Sequence, residues 1–154
     1  MKNEKIGMYV KTLLPIIIVA VLGTVFVNIG LPWFNALTKP SQWIPNFVIP
    51  IVWTIIYVTF AVILILIQNK TKLRKTTTVL LYLNGVLNIL WCLVFFTLKQ
   101  MFIGDIIIIL NLIAAFMVVI NIKRYKRLYY YILLIYPAWV SIATTLNLAI
   151  WILN

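Results

Sequence analysis

Tryptophan, tyrosine and asparagine residues recur at helical spacing inside the apolar runs of this 154-residue chain. Residues three, four or seven positions apart share one face of a helix. Polar groups are costly in lipid unless they are paired, so we expect such faces to turn inward. Three faces have this pattern: Asn84, Asn88 and Trp91; Trp139, Ala143 and Asn147; and Trp53 with Tyr57. Together they predict an apolar, tryptophan-lined cavity with a few amide groups, which is the usual composition of a small-molecule site.

A purely structural role for the same residues stays open. Asparagine side chains in membrane helices also hydrogen-bond across to neighbouring helices and hold a bundle together. Asn88 and Asn147 could serve only in this way, and the tryptophans could serve only as packing. The residue types alone do not separate this role from ligand binding.

Most other site chemistry is excluded by residue content. The sequence has no histidine, one cysteine (Cys92) and two acidic residues, Glu4 and Asp105. A carboxylate-pair hydrolase, a histidine-based triad and a His/Cys metal cluster therefore lack their residues. The net charge of +11 indicates loop orientation and contact with anionic lipid rather than nucleic-acid binding. We expect neither a metal nor a cofactor.

The segment Leu31–Tyr57 holds three of the six tryptophans and four of the six prolines. Proline stops or kinks helices, so we expect a stiff, irregular loop over residues 30–47 that leads into a helix. Tryptophan adds a large, flat apolar face. Such a loop suits a lid over a flat apolar ligand. The alternative is a loop at the lipid headgroup level, with its tryptophans as interface anchors.

Composition predicts an all-α membrane protein with a single domain over residues 1–154. Hydrophobic residues make up 65% of the chain and charged residues 10%, too few charges to cover a soluble domain. A membrane-spanning helix needs about 20 predominantly apolar residues. We therefore expect a five-helix bundle and keep the first run as a retained helix, because it is longer than a signal-peptide core. The predicted spans are residues 12–29, 48–67, 79–98, 106–122 and 130–152.

The basic residues predict the orientation of this bundle. The N-terminal segment and the second and fourth loops hold 11 lysines and arginines, whereas the first and third loops hold only Lys39 and Lys99. Cytoplasmic loops are enriched in basic residues. We therefore expect a cytoplasmic N-terminus, an outward-facing first loop and an outside C-terminus. Because no ionisable residue lies deep within a span, a proton-coupled carrier is disfavoured.

Four groups of residues form an ordered pattern along the chain. They are Trp33, an aromatic residue at Phe34, Leu37, Lys39, Pro40, Ser41, Pro45, Pro50, Val52, Trp53, Thr54 and Tyr57; Asn88, Trp91, Phe95 and Phe96; Asp105; and Trp139, Val140, Ala143, Leu146, Asn147, Leu153 and Asn154. With this pattern nearly the whole chain resembles the TspO/MBR family, the tryptophan-rich sensory protein and translocator protein family. Two departures are Phe34, where the family usually has tyrosine, and Gln42, where it usually has tryptophan. The chain also lacks the C-terminal tyrosine and basic residue of animal-type cholesterol recognition.

The resemblance implies a five-helix bundle, commonly a homodimer, in a bacterial cell membrane. It also implies a tetrapyrrole ligand such as protoporphyrin IX, held in a pocket beneath the first loop. Some members are associated with light-dependent porphyrin breakdown, for which the matching candidates are Trp53 and Trp139. The expected ligand-binding residues are Trp33, Phe34, Lys39, Pro40, Trp43, Pro45, Trp53, Tyr57, Asn88, Trp91, Trp139, Ala143 and Asn147.

Three functions follow from these observations. The first is a tetrapyrrole-binding membrane sensor or translocator. The second is a light-dependent activity that degrades protoporphyrin IX, although the chain offers no general acid or base for it. The third is a structural or partner-binding membrane protein in which the small and polar faces only hold an assembly together.

Overall fold

The computed structural model describes residues 2–41 and 43–154; Met1 and the departure at Gln42 lie outside this part. The described chain folds into α-helices joined by short connections, and the third helix continues as a π-helical segment, Cys92–Thr97. The α-helices are α1 (Lys2–Ala36), α2 (Val48–Gln68), α3 (Lys75–Trp91), α4 (Met101–Ile122), α5 (Arg127–Leu133) and α6 (Ile135–Leu153).

Five of the resulting segments are long and apolar enough to cross a bilayer, which confirms the predicted all-α, five-span class. α3 with its π-helical segment forms one span, and α5 with α6 forms another, Arg127–Leu153. Large aliphatic side chains are exposed along the outer faces of all five spans. A soluble protein would bury such a surface, so the surrounding solvent is lipid. The side of the membrane on which each terminus lies stays a prediction.

The first loop is shorter than predicted. We expected irregular backbone from residue 30, but α1 continues through Pro32 and ends at Ala36. Proline removes one helical hydrogen bond and kinks a helix without necessarily ending it, and membrane helices tolerate this. Trp33 and Phe34 therefore lie on the last turns of α1, and the loop covers residues 37–47.

The spans form a closed ring in which α1 packs against α2 and α3, α3 against α4, α4 against α6, and α2 against α5 and α6. One end of this ring, the loop end, contains residues 37–47 and 98–100. The opposite end, the basic end, contains residues 69–74 and 123–126. At the basic end the Arg74 backbone N–H donates to the Tyr125 hydroxyl at 2.7 Å, which joins two basic connections.

Two glycines allow close approach at the loop end. A Cβ on Gly30 of α1 would overlap the backbone of Phe96, and a Cβ on Gly104 of α4 would lie 2.9 Å from the Phe95 Cβ. The π-helical segment between these two helices carries Phe95 and Phe96 into the interior, where both are buried. π-helical turns are rare in proteins, and those that occur often lie at functional sites. This packing fills the interior of the loop end with aromatic rings.

Pro137 determines how the last span turns. It lies in the first turn of α6, where its missing N–H costs little, directly after the short break at Leu134. The Ala138 N–H still donates to the Leu134 carbonyl at 3.1 Å, so the chain bends and continues. The bend places Tyr136 in the interior of the ring, where it is almost fully buried.

Candidate functional site

A cavity of about 810 Å³ lies inside the ring, between α1, α2 and α3, with Tyr136 of α6 on its wall. It extends from Trp53 and Asn88, near the middle of the bundle, to Lys11 and Lys72 at the basic end. Ligand pockets commonly have volumes of about 300–1,000 Å³ and mostly apolar walls with a few polar groups. The volume and the lining therefore make this cavity the candidate small-molecule site.

The deep end of the cavity is aromatic. Trp53 and Tyr57, one helical turn apart on α2, stack with ring centroids 5.7 Å apart and an interplanar angle of 27°. The Tyr136 ring meets Trp53 edge-on at 6.3 Å and Phe60 edge-on at 5.3 Å. Asn88 adds a buried amide to the same lining. These side chains present flat apolar faces with a small number of hydrogen-bonding groups.

A hydrogen-bond network supports this wall from behind. The Tyr136 hydroxyl donates to Asn84 Oδ1 at 3.0 Å, and Asn84 Nδ2 donates to Asn111 Oδ1 at 2.7 Å. All three residues are buried, and they lie on α6, α3 and α4 respectively. Interhelical hydrogen bonds of this kind contribute about 0.6 kcal/mol each on average within a membrane protein. The network holds three helices in register beside the cavity.

The mouth of the cavity at the basic end is polar. Lys11 and Thr12 of α1 and Gln68 and Lys72 around the end of α2 line it. Gln68 Nε2 donates to Thr12 Oγ1 at 2.6 Å, which ties α1 to α2 at this level. The mouth therefore combines two ammonium groups with hydroxyl and amide groups at the depth where a membrane helix meets water.

Four residues of the cavity lining are exposed: Leu14 and Ile18 on α1 and Tyr82 and Val86 on α3, with Tyr82 56% exposed. The helices therefore do not enclose the cavity completely.

The loop end contains much of the predicted site, and aromatic rings of the described residues pack against one another there. The Phe34 ring lies 5.0 Å from Phe96 and 5.6 Å from Trp43, and Trp91 lies 5.7 Å from Phe96. Trp33 adds an edge contact to Phe95 at 6.0 Å. The cavity between α1, α2 and α3 lies deeper in the bundle than this aromatic cluster. A ligand pocket beneath the loop stays a prediction.

Lys39 and the loop prolines have structural contacts. Lys39 Nζ donates to the Phe34 carbonyl at 3.1 Å and lies 5.0 Å from the Phe34 ring centroid. It therefore caps the C-terminal end of α1, where a cation is favourable. Pro40 lines a shallow hollow against the end of α6, and the Pro45 carbonyl accepts from the Val48 N–H at 2.9 Å where α2 begins.

The predicted residues of α6 lie outside the cavity lining. Trp139 and Asn147 are buried and Ala143 is half-buried. Within the described chain, the Trp139 indole N–H, the Asn147 amide N–H₂ group and both Asp105 carboxyl oxygens are buried without a hydrogen-bond partner. Of the thirteen residues predicted to bind a ligand, Trp53, Tyr57 and Asn88 line the cavity. Ligand contact by all thirteen stays a prediction.

Sequence reasoning placed Asn84 on an inward face with Asn88, and the structure puts both in the cavity lining. It missed three other lining residues. The inward position of Tyr136 is evident only from the structure. Lys11 and Lys72 indicated topology alone, although Thr12 next to Lys11 and Gln68 four residues before Lys72 could have indicated a polar mouth.

The Asn154 side chain latches the loop to the end of α6. The Thr38 N–H donates to Asn154 Oδ1 at 2.9 Å, and Asn154 Nδ2 donates back to the Thr38 carbonyl at 3.0 Å. We expect Asn154→Ala to speed amide exchange at Leu37, Thr38 and Lys39 about thirtyfold, because the two lost hydrogen bonds contribute about 1 kcal/mol each to local closure. Hydrogen exchange in detergent measures this, and Asn121→Ala at the basic end is the control. Equal exchange in both variants would exclude the latch.

The fold defines an integral membrane protein with five spans, and its aromatic-walled cavity is the candidate small-molecule site. Comparison with known proteins specifies the class: the TspO/MBR family profile matches residues 12–152, and the chain belongs to this family. It is 30% identical over 125 residues to the uncharacterized membrane protein YtaB of Bacillus subtilis, covering 79% of this chain and 80% of that protein. It is 28% identical over 127 residues to the tryptophan-rich protein TspO of Archaeoglobus fulgidus, covering 79% of this chain and 80% of that protein. It is 25% identical over 125 residues to protein CrtK of Rhodobacter capsulatus, covering 79% of this chain and 78% of that protein.

Proposed function

We infer that this protein binds a porphyrin or a related tetrapyrrole in the cavity between α1, α2 and α3, as a membrane sensor or translocator. The observation that carries this proposal is the stacked Trp53–Tyr57 pair at the deep end of a cavity of about 810 Å³. A tetrapyrrole is flat and apolar, so one of its faces can lie against these rings. Membership of the tryptophan-rich family supports the same ligand class.

The lining favours binding over hydrolytic chemistry. The ionisable groups among the described lining residues are two lysines at the mouth and the tyrosines Tyr57, Tyr82 and Tyr136. General acid–base catalysis needs a group that exchanges protons near the working pH, such as histidine or a tuned carboxylate. The sequence has no histidine, and its two carboxylates, Glu4 and Asp105, do not line the cavity. A receptor or carrier needs only the shape and the aromatic wall.

We expect Trp53→Phe to raise the Kd for protoporphyrin IX about tenfold, since an aromatic contact of this size contributes about 1.4 kcal/mol. The shift of the porphyrin absorption band in nanodiscs is the appropriate readout, because tryptophan fluorescence would change with the substitution itself. Trp151→Phe is the matched control, because Trp151 is exposed at the loop end and contacts only Phe102 among the described rings.

Trp139→Phe separates this pocket from the one predicted beneath the loop. Trp139 does not line the cavity, so the variant should keep the wild-type Kd. If Trp139→Phe weakened porphyrin binding and Trp53→Phe did not, the binding site would lie at the loop end instead. Unsaturable absorption changes in every variant would mean that the pigment only partitions into lipid, and tetrapyrrole binding would then be rejected.

A further inference from the structure

Eight basic side chains lie in or beside the two connections at the basic end of the bundle, and all eight are exposed. Residues 69–75 and 123–127 contain no acidic residue, so neither connection neutralises its own charge. Like charges repel one another more strongly as they come closer, and a bound anion relieves this repulsion. The basic surface consists of Lys70, Lys72, Arg74, Lys75, Lys123, Arg124, Lys126 and Arg127.

Tyr125 joins the two connections into one surface. Its hydroxyl accepts from the Arg74 backbone N–H at 2.7 Å and lies 3.2 Å from Thr77 Oγ1, within hydrogen-bonding distance. Thr77 is fully buried, so the contact is anchored in the bundle. The Arg74 backbone therefore lies only one tyrosine side chain away from the backbone of residues 124–126. In this way the fold holds two positively charged segments together through a neutral side chain.

Three of the basic side chains lie against tyrosine rings at the start of the last span. Lys123 Nζ lies 5.3 Å from the Tyr130 ring centroid, Lys126 Nζ 5.5 Å from that of Tyr129, and the Arg127 guanidinium carbon 5.6 Å from that of Tyr131. Arg127 Nε also donates to the Tyr131 hydroxyl at 3.1 Å. A cation is attracted to the face of an aromatic ring. Because tyrosine is enriched at the membrane–water interface, these contacts place the positive charges at the depth of lipid headgroups.

The basic surface adjoins apolar side chains that face lipid. Leu128, Tyr131 and Ile132 lie within five residues after Arg127, and all three are exposed. On α3, Val79 is exposed one turn from the start of the helix. A soluble acidic partner would meet the charges and leave this apolar surface uncovered. A phospholipid meets both, because its headgroup is charged and its acyl chains are apolar.

We propose that the basic surface binds the phosphate of an anionic phospholipid, whose acyl chains lie along the neighbouring spans. Arg74 and Arg124 are the central contacts, because one is bonded to Tyr125 and the other precedes it in the chain. Guanidinium groups suit phosphate, since their planar fork donates two hydrogen bonds at once. Neither arginine lines the cavity, so this lipid site is separate from the proposed tetrapyrrole site and does not depend on it.

Native mass spectrometry of the protein measures the Kd for the first bound phosphatidylglycerol and for phosphatidylcholine with the same acyl chains. We expect the wild type to prefer phosphatidylglycerol about tenfold. Arg74→Gln/Arg124→Gln should abolish this preference, since two basic residues near a membrane surface account for an effect of this size. An unchanged Kd for phosphatidylcholine shows that the variant is folded.

Tyr125→Phe tests whether the two connections act as one surface. It keeps the ring and every charge and removes the hydroxyl that holds Arg74. The preference for phosphatidylglycerol should fall about threefold, because one hydrogen bond no longer fixes the connections side by side. A wild-type preference in this variant would show two independent connections and would overturn the proposed site.

The control is Lys2→Gln/Lys5→Gln, which removes the same charge from α1. Both residues lie about 9 Å or more beyond Lys11 along the helix, at about 1.5 Å per residue, and charges at that distance are largely screened. This control should keep the tenfold preference, and an equal loss would reduce the effect to net charge. Displacement of the lipid by an equal concentration of inorganic phosphate would assign the site to a soluble anion. Either result overturns the proposal.

Discussion

Gly30→Ala is expected to destabilise the bundle by about 2 kcal/mol, although in a helix interior alanine is normally more favourable than glycine by about 1 kcal/mol. The added Cβ would lie 2.9 Å from the Phe96 Cα and even nearer the Phe96 carbonyl group. These are backbone atoms of the π-helical segment, so no side-chain rotation relieves the overlap. Overpacking in a close-packed interior costs about 1–3 kcal/mol, and occasionally more, because backbone must shift.

Gly7→Ala is the matched control in the same helix. A Cβ at Gly7 would have no heavy atom within 4 Å, so only the helix preference remains and stability should stay level or rise by about 0.5–1 kcal/mol. Thermal unfolding of both variants in one detergent measures the difference. If Gly30→Ala were as stable as Gly7→Ala, the contact between α1 and the π-helical segment would be looser than this structure has it.

The contacts at the loop end explain why the five spans were predictable and the position of the cavity was not. Uninterrupted apolar runs and the placement of basic residues are local signals, and they identified the membrane-spanning helices. The i, i+4 spacing of Trp53 and Tyr57 identified one face of the cavity in the same way. Whether a face borders open space depends on partners far away in sequence. Phe34 closes the loop end through Phe96, which is 62 residues further along the chain.

For charged residues too, the sequence gives local signals but not the tertiary contacts. Lys39 is an obvious cation beside a tryptophan-rich loop, and the sequence indicates nothing about the α1 carbonyls that hold it. Lys11 and Lys72 belong to basic segments that report orientation, so their second role at the cavity mouth appears only when α1 and α2 are placed side by side. Side-chain position relative to a cavity is a tertiary property that local periodicity does not encode.

Asn84→Leu is expected to destabilise the protein by about 2 kcal/mol, because it removes two interhelical hydrogen bonds at once. Asn84 accepts from the Tyr136 hydroxyl and donates to Asn111, and its loss leaves both buried partners without that hydrogen bond. Buried polar groups without partners cost about 1–3 kcal/mol each in soluble proteins and somewhat less within a membrane. Asn121→Leu is the control, since that side chain donates only to the Met117 carbonyl of its own helix.

A double substitution distinguishes the network from simple packing. Tyr136→Phe alone should cost about 1 kcal/mol, because Asn84 Oδ1 loses its donor. In Asn84→Leu/Tyr136→Phe the phenol is gone together with its acceptor, so the combined loss should be smaller than the sum of the two single losses by about 1 kcal/mol. Additive losses would mean that the two side chains act independently. Coupled losses would show that α3 and α6 are held together at the wall of the cavity by one shared network.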